Sequence, residues 1–324
     1  MTDVLILGGT GWLSGAIARR WVDAGATVTC VARGSRSAPE GARLVVADRS
    51  DPTAYDDLAR QDWDEVVDVS SQPRHVEHAV AALRDRAVHW SYVSSVSVYA
   101  SHDRPGGDES APLAEPAGDG DEDDYPRAKS AAEAAVRSLG DRAAITRPGL
   151  IVGPGDPTDR FGYWPARFAS AGDGPVLTPA AAGLSVQVID VDDVADFVVA
   201  SGRRGWRGAV DAVGESMPLG DVLAAARESA GHTGPVVVAE PEWLLERGVA
   251  HWAGPRSLPL WLPADLPGLA TRKGRAYRAA GGRIRPIAET LARVLQDERE
   301  RGVDRDRRSG LTRAEELALL AERG

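Results

Sequence analysis

A chain of 324 residues with 43% hydrophobic and 27% charged side chains has the make-up of a folded globule, long enough for one large α/β domain or a nucleotide domain with a smaller second lobe. Its formal net charge of -10 argues against attraction to a nucleic-acid backbone or an anionic membrane, and no run reaches the roughly 18–20 apolar residues of a membrane span. The single cysteine, Cys30, excludes an intrachain disulfide and fits a reducing compartment.

The first apolar run, Val4 to Leu7, is too short for a signal-peptide core, lacks a basic flank, and reads as a strand. Further strand-like runs follow at Thr27 to Val31, Arg43 to Ala47, Glu65 to Val69, Trp90 to Ser94 and Ala143 to Thr146. Helical stretches such as Leu13 to Asp23 and Arg74 to Arg84 lie between them, and this alternation predicts a doubly wound parallel sheet of the Rossmann kind. Directly after the first strand comes Gly8-Gly9-Thr10-Gly11-Trp12-Leu13-Ser14-Gly15. Glycines in such a turn let the backbone approach a diphosphate, and the helix behind supplies free N–H groups and a favourable dipole. Cys30 falls in an apolar strand and reads as a buried structural thiol. The second strand ends at Arg33-Gly34-Ser35-Arg36 without the carboxylate that would accept from an adenosine ribose, so Arg33 with Ser35 or Arg36 is expected to pair with a 2′-phosphate.

Ser101 to Asp124, rich in Asp, Glu, Gly and Pro, reads as a long surface loop of the kind that borders sites. Its acidic end, Asp119, Asp121, Glu122, Asp123 and Asp124, reads as solvated, with the last carboxylate capping a helix. That helix opens Tyr125-Pro126-Arg127-Ala128-Lys129, and a spacing of four puts Tyr125 and Lys129 on one face. A phenol of ordinary pKa about 10 needs roughly 4 kcal/mol of preferential stabilisation to ionise near neutrality, which a neighbouring ammonium helps to supply. Of 38 basic residues only Lys129 and Lys273 are lysines, so a compact ammonium stands where this chemistry asks for one. Serines 94, 95 and 97 end the run Tyr92 to Tyr99.

After Pro148 the alternation loosens. Gly153 to Ala182 reads as an excursion, Val186 to Ile189 and Val191 to Ala200 as a strand and helix returning to the sheet, and Val236 to Ala239 as a strand of a second lobe. Trp243, Trp252 and Trp261, with Tyr163 and Trp164, could line an aromatic pocket, although such residues more often only pack. Leu311 to Leu320 has helical apolar spacing and is expected to dock on the body.

Taken together, the glycine turn, the Ser-Ser-x-x-x-Tyr run, the Tyr-x-x-x-Lys helix, Thr146 to Gly155 and Gln187 to Ala195 resemble the extended short-chain dehydrogenase/reductases and their NAD-dependent epimerase/dehydratase relatives. The third glycine of the family's turn is Ser14 here. The resemblance implies catalysis by Ser95, Tyr125 and Lys129, with the phenol moving a proton, the hydroxyl holding the substrate oxygen and the ammonium binding ribose hydroxyls. It implies a cofactor site of Gly8, Thr10, Gly11, Trp12, Leu13, Arg33, Ser35, Arg36, Asp48, Ser70, Lys129 and Pro148, with Asp48 at the adenine, NADP as the expected cofactor and NAD as the alternative, and no metal. Hydride transfer between nicotinamide and a small carbonyl or alcohol is the first expectation; an epimerase or dehydratase acting on a sugar nucleotide or related metabolite is the alternative. Sugar-nucleotide members carry an Asn-containing segment after Arg-Pro and a His/Ala-rich turn after the fourth strand, where this chain has Gly149-Leu150-Ile151 and Ser70-Ser71-Gln72-Pro73. An RNA-binding module of similar fold is a third reading that the acidic balance disfavours. A cytoplasmic monomer or homodimer is expected, its dinucleotide domain residues 1–155 with about 186–213 and its substrate lobe about 156–185 with 214–324.

Overall fold

The computed structural model describes residues 2–118, 120–121 and 123–323, so Asp119 and Glu122 of the acidic run lie outside the described residues. In the first half, β1 (Asp3–Leu7), α1 (Trp12–Asp23), β2 (Thr27–Ala32), β3 (Arg43–Val46), β4 (Trp63–Asp68), α2 (Pro73–Leu83), β5 (Ala87–Val93), α3 (Tyr125–Arg137) and β6 (Ala143–Pro148) follow in turn. Next come β7 (Leu150–Val152), α4 (Tyr163–Ala171), β8 (Val176–Pro179), β9 (Ser185–Asp190), α5 (Val191–Arg204), β10 (Gly208–Ala212), β11 (Ser216–Pro218), α6 (Leu219–Ala230) and β12 (Val236–Ala239). The chain ends with α7 (Pro241–Glu246), β13 (Ala250–Trp252), β14 (Ser257–Pro259), α8 (Arg275–Ala279), α9 (Ile287–Arg301) and α10 (Arg313–Arg323).

Seven parallel strands form the main sheet in the order β10-β6-β5-β4-β1-β2-β3. Its central strands are continuous apolar runs because helices cover both faces; Val4, Leu5, Ile6 and Leu7 are all fully buried. On one face Ile17 and Trp21 of α1 pack with Val194, Phe197 and Val198 of α5; on the other, Val76 and Val80 of α2 pack with Ala132 and Val136 of α3. A third core, in the second lobe, gathers Trp164 and Phe168 of α4, Val222 of α6, Trp261, Leu291 of α9, and Leu311 and Leu319 around the docked C-terminal helix.

One strand departs from the sequence expectation. The Val186 to Ile189 run does not return to the main sheet: β9 pairs with β7 and β11 in a separate three-stranded sheet. The return is made by β10, whose Gly-Ala-Val-Asp-Ala sequence has little apolar signature because Asp211 is buried by charge pairing.

That pairing belongs to a buried chain of charges tying α3 to the second lobe. Glu133 accepts from Arg147 at 2.8 and 2.6 Å, Arg147 donates to the Tyr99 hydroxyl at 2.8 Å, Tyr99 donates to Asp211 at 2.6 Å, and Asp211 accepts from Arg272 at 2.5 Å. The Arg272 guanidinium also lies 3.4 Å from the Tyr99 ring centre and donates to the carbonyl of Asp108 in the long loop. Burial alone would raise the Glu133 pKa, but the Arg147 guanidinium holds the carboxyl below its ordinary value. Glu133→Ala strands a buried guanidinium and should lower the unfolding free energy by about 3–5 kcal/mol, seen as a reduced urea midpoint. Because the folded-state pKa of Glu133 lies below the unfolded one, its contribution is present at neutral pH and lost as pH falls through the folded pKa, so wild type and variant should converge on acidification.

Candidate active site

Strand order reverses between β1 and β4, and at the carboxyl ends of those strands the chain leaves a crevice, the place where open α/β sheets take ligands. Gly8 turns the chain there at φ +88°, in the left-handed region open to glycine. A Cβ on Gly9 would lie 2.5 Å from the Cys30 sulfur, so the turn rests flat on β2. Burial pushes the Cys30 thiol up to about 11, and it is a packing residue.

Ser14, at the family's third glycine position, stitches the turn: its hydroxyl donates to the Gly8 carbonyl at 2.5 Å and accepts from the Gly11 N–H at 3.1 Å. Gly15 has room for a side chain, with nothing nearer than 3.6 Å, and provides no close approach in its stead. Helix α1 begins at Trp12, so the N–H groups of Trp12 and Leu13 are first-turn donors outside the helical ladder.

A cavity of about 670 Å³ fills this crevice and is lined by Gly8, Thr10, Gly11, Arg33, Ser35, Arg36, Asp48 and Ser70 among others. The glycines keep side chains out of the space beside the helix N-terminus, and Arg33 and Arg36, just after β2, line the same cavity, so the residues present fit a dinucleotide. Asp48 also holds a turn, accepting from the Ser50 N–H at 3.0 Å, and faces Arg33. Leu13 is not among the residues lining this crevice and packs against the α1 and α5 core.

Across Val69, which lines both spaces, lies a second cavity of about 690 Å³ holding Ser95, Tyr125, Pro148 and Trp12. Tyr125 is the first residue of α3, whose N-cap Asp124 accepts from the Arg127 N–H at 3.2 Å. Tyr125 is 45% exposed as a residue, and desolvation of its phenol at the cavity wall raises the pKa, which the nearby Ser95 hydroxyl and Arg160 guanidinium pull back. Ser95 is also a cap, accepting from the Ser97 N–H at 3.1 Å at the start of the short turn Val96–Val98. Ser94 and Ser97 line the same cavity, and the Ser95 hydroxyl donates to that of Ser97 at 3.2 Å.

Lys129 is placed below the cavities rather than in them. It is 3% exposed and donates to the carbonyls of Ser70 at 2.9 Å and Val93 at 2.8 Å and to the Tyr92 hydroxyl at 3.2 Å. Its three protons clamp the ends of β4 and β5, and burial lowers its pKa to about 8.

Some residues around the site were not singled out from the sequence. Arg49, bidentate to Asp68 at 2.9 and 2.6 Å, holds the floor of the dinucleotide crevice, and Ser70 donates its N–H to the same carboxylate at 2.9 Å. Arg160, Thr158 and Gln187 line the second cavity; an Arg two residues beyond a Thr in a Gly/Pro/Asp segment carries no distinguishing pattern. Of the aromatic group considered for a pocket, only Trp252 lines the cavity. Tyr163, Trp164 and Trp261 are each 1% exposed in the second-lobe core, and Trp243 stacks on Arg247 and Arg323. The described residues of the 101–124 loop do not line it either; Asp108 of that loop instead braces Arg272 and Lys273.

Solved structures share this architecture. A Burkholderia cenocepacia protein provisionally named an epimerase is 23% identical with TM-score 0.71, covering 92% of this chain and 98% of that one. UDP-glucose 4-epimerase of Thermus thermophilus, solved with NAD, is 17% identical with TM-score 0.67, over 92% and 99% of the two chains. UDP-glucose 4-epimerase of Thermotoga maritima, solved with UDP-glucose, is 12% identical with TM-score 0.71, over 93% and 99%. No functionally curated protein matches the sequence. The sequence profile of the NAD dependent epimerase/dehydratase family matches residues 4–210, from the first strand through the glycine turn, Ser95, Tyr125 and Lys129 into β10. The chain therefore belongs to the NAD-dependent epimerase/dehydratase family, within the extended short-chain dehydrogenase/reductase enzymes.

Proposed function

We propose that the chain is a nicotinamide-dependent enzyme of the epimerase or dehydratase kind, acting on a secondary alcohol of a small hydroxylated metabolite, a sugar nucleotide or a relative of one. The observation that carries this is the meeting of Ser95 and Tyr125 in a cavity that joins the dinucleotide crevice at Val69. The family match favours this over the simple carbonyl reductase that the sequence put first.

Gly8, Thr10 and Gly11, with the first-turn N–H groups of Trp12 and Leu13, would hold the diphosphate, Asp48 the adenine side, and Ser70 and Pro148 the nicotinamide side. A bound nicotinamide supplies a hydride acceptor and donor. Tyr125, its pKa raised by desolvation of the phenol, takes or gives the proton at the substrate oxygen, and the Ser95 hydroxyl holds that oxygen in place. Lys129 acts as a positioning residue, fixing the carbonyls of Ser70, which lines the crevice, and of Val93, which precedes the second cavity's Ser94 and Ser95. On this reading residues 1–155 with about 186–213 form the dinucleotide domain and the rest the substrate lobe, with β9 contributing Gln187 to the substrate side.

A second reading has its own support. Arg33, Ser35 and Arg36 line the crevice where β2 ends without a carboxylate, an arrangement suited to the 2′-phosphate of NADP and hence to a reductase. Cofactor stoichiometry separates the two. An epimerase or dehydratase should convert substrate with no net change in absorbance at the reduced-nicotinamide band, whereas one equivalent of NADPH oxidised per product would establish the reductase.

Tyr125→Phe should lower kcat by about 10²–10⁴-fold, and Ser95→Ala by about 10²–10³-fold, with dinucleotide affinity unchanged in both by fluorescence titration. Unchanged kcat in Tyr125→Phe would remove the phenol from the chemistry. Above pH about 8 Lys129 loses a proton and can no longer supply three donors to three acceptors, so activity should fall through that pH, and Lys129→Met should erase that limb of the profile. Unfolding would not explain such a fall, because a lysine whose folded pKa is depressed makes the folded state relatively more stable as pH rises from about 8 toward 10.5.

A further inference from the structure

In a chain of net charge -10, the lining of the cavity beside Tyr125 contains one charged side chain, Arg160, and no carboxylate among the described residues. Its Nε donates to the Thr158 hydroxyl at 3.1 Å. That hydroxyl in turn donates to Asp156 at 2.9 Å, and Asp156 also accepts the Thr158 N–H at 2.8 Å. The guanidinium lies 5.0 Å from the Trp252 ring centre, on the face of the indole. Trp252 itself sits at φ +67°, a left-handed backbone that side chains rarely adopt and that is found preferentially where a site over-determines it.

The two acids nearest in sequence are committed elsewhere. Asp156 is turned to Thr158, and Asp159 accepts from Arg305 at 2.5 Å and from the Arg308 N–H at 2.9 Å. Arg160 therefore has no carboxylate within ion-pair distance among the described residues, and the four N–H bonds of its two terminal nitrogens make no hydrogen bond to them. A half-buried guanidinium over an indole, oriented through its inner nitrogen and with no hydrogen bond from its outer edge to the described residues, is set up for a bidentate oxyanion.

We infer that Arg160, held by Thr158 and Trp252, anchors an anionic group of the substrate, a carboxylate or a phosphate, in the cavity that Tyr125 and Ser95 share. Burial already depresses the Arg160 pKa, with the nearby Asp156 only partly offsetting it, so an incoming oxyanion would supply charge that the protein withholds. The inference rests on reading this cavity as the substrate side of the proposed site, and it makes Arg160 a determinant of substrate class: neutral alcohols of similar size should be poor ligands.

Isothermal titration of the full chain with oxalate and with inorganic phosphate, in the presence of saturating NADPH to occupy Arg33 and Arg36, tests it. Wild type should bind at least one of the two probes, the better one naming the source of the oxyanion, and Arg160→Met should weaken that binding by about tenfold or more. Arg160→Lys should recover part of it, and Thr158→Val, which leaves the charge but removes its orienting hydroxyl, should fall between. NADPH affinity, measured separately by fluorescence, should be the same in every variant, which keeps a failed dinucleotide site distinct from a failed anion anchor. If NADPH does not bind, the same titrations are run on the free protein, where the Arg160 comparison still decides. Binding of both probes unchanged in Arg160→Met, or no binding of either to wild type, overturns the assignment; if Arg160→Met does not fold, Arg160→Gln is read by the same criteria.

Discussion

The contact of Gly9 with Cys30 is the constraint on which the rest of the site depends. Because Gly9 carries no side chain, the turn lies against Cys30 of β2, helix α1 starts right after the Gly8–Gly11 turn, and its first-turn donors lie at the strand-order reversal. Ser14 keeps that turn closed with two hydrogen bonds of its own, doing by polar stitching what a third glycine would do by close packing. Trp12 extends the effect to the neighbouring space: its indole N–H donates to the Pro154 carbonyl at 2.8 Å, so the dinucleotide turn and the wall of the second cavity are one piece.

Around this seam the chain uses buried charge as scaffold. Lys129, the Arg49–Asp68 pair and the Glu133–Arg147–Tyr99–Asp211–Arg272 chain all lie within a few residues of Ser70, Ser95, Tyr125 or Pro148. Such groups are costly to desolvate and add little net stability over apolar packing, but their directional bonds fix strand ends and helix starts. Against these completed pairs, Arg160 in the second cavity has no carboxylate within ion-pair distance among the described residues.

The main sheet was legible because its strands are buried on both faces and leave continuous Val, Leu and Ile runs, as in Val4 to Leu7. Motif order marked out the glycine turn and the serine and tyrosine that the fold brings to neighbouring cavities. Three things were not legible. The destination of Val186 to Ile189 is set by its pairing with β7, a three-residue strand too short to leave a pattern. β10 hides behind Asp211, whose burial depends on Arg272 some 60 positions away in the chain. The position of the Lys129 ammonium depends on carbonyl directions at two strand ends, Ser70 and Val93, which side-chain types do not encode. For the same reason the aromatic residues of the second lobe divided between core and cavity in a way that composition could not foretell, with Trp252 alone reaching the cavity.

The most direct test of the central claim is a crystal structure of the chain grown with NADPH. The account expects the diphosphate against the Gly8–Gly11 turn, the adenosine end between Arg33 and Asp48, and the nicotinamide passing Val69 toward Tyr125 and Ser95. Dinucleotide density anywhere else, or a crevice left vacant while the nucleotide binds in solution, would contradict it.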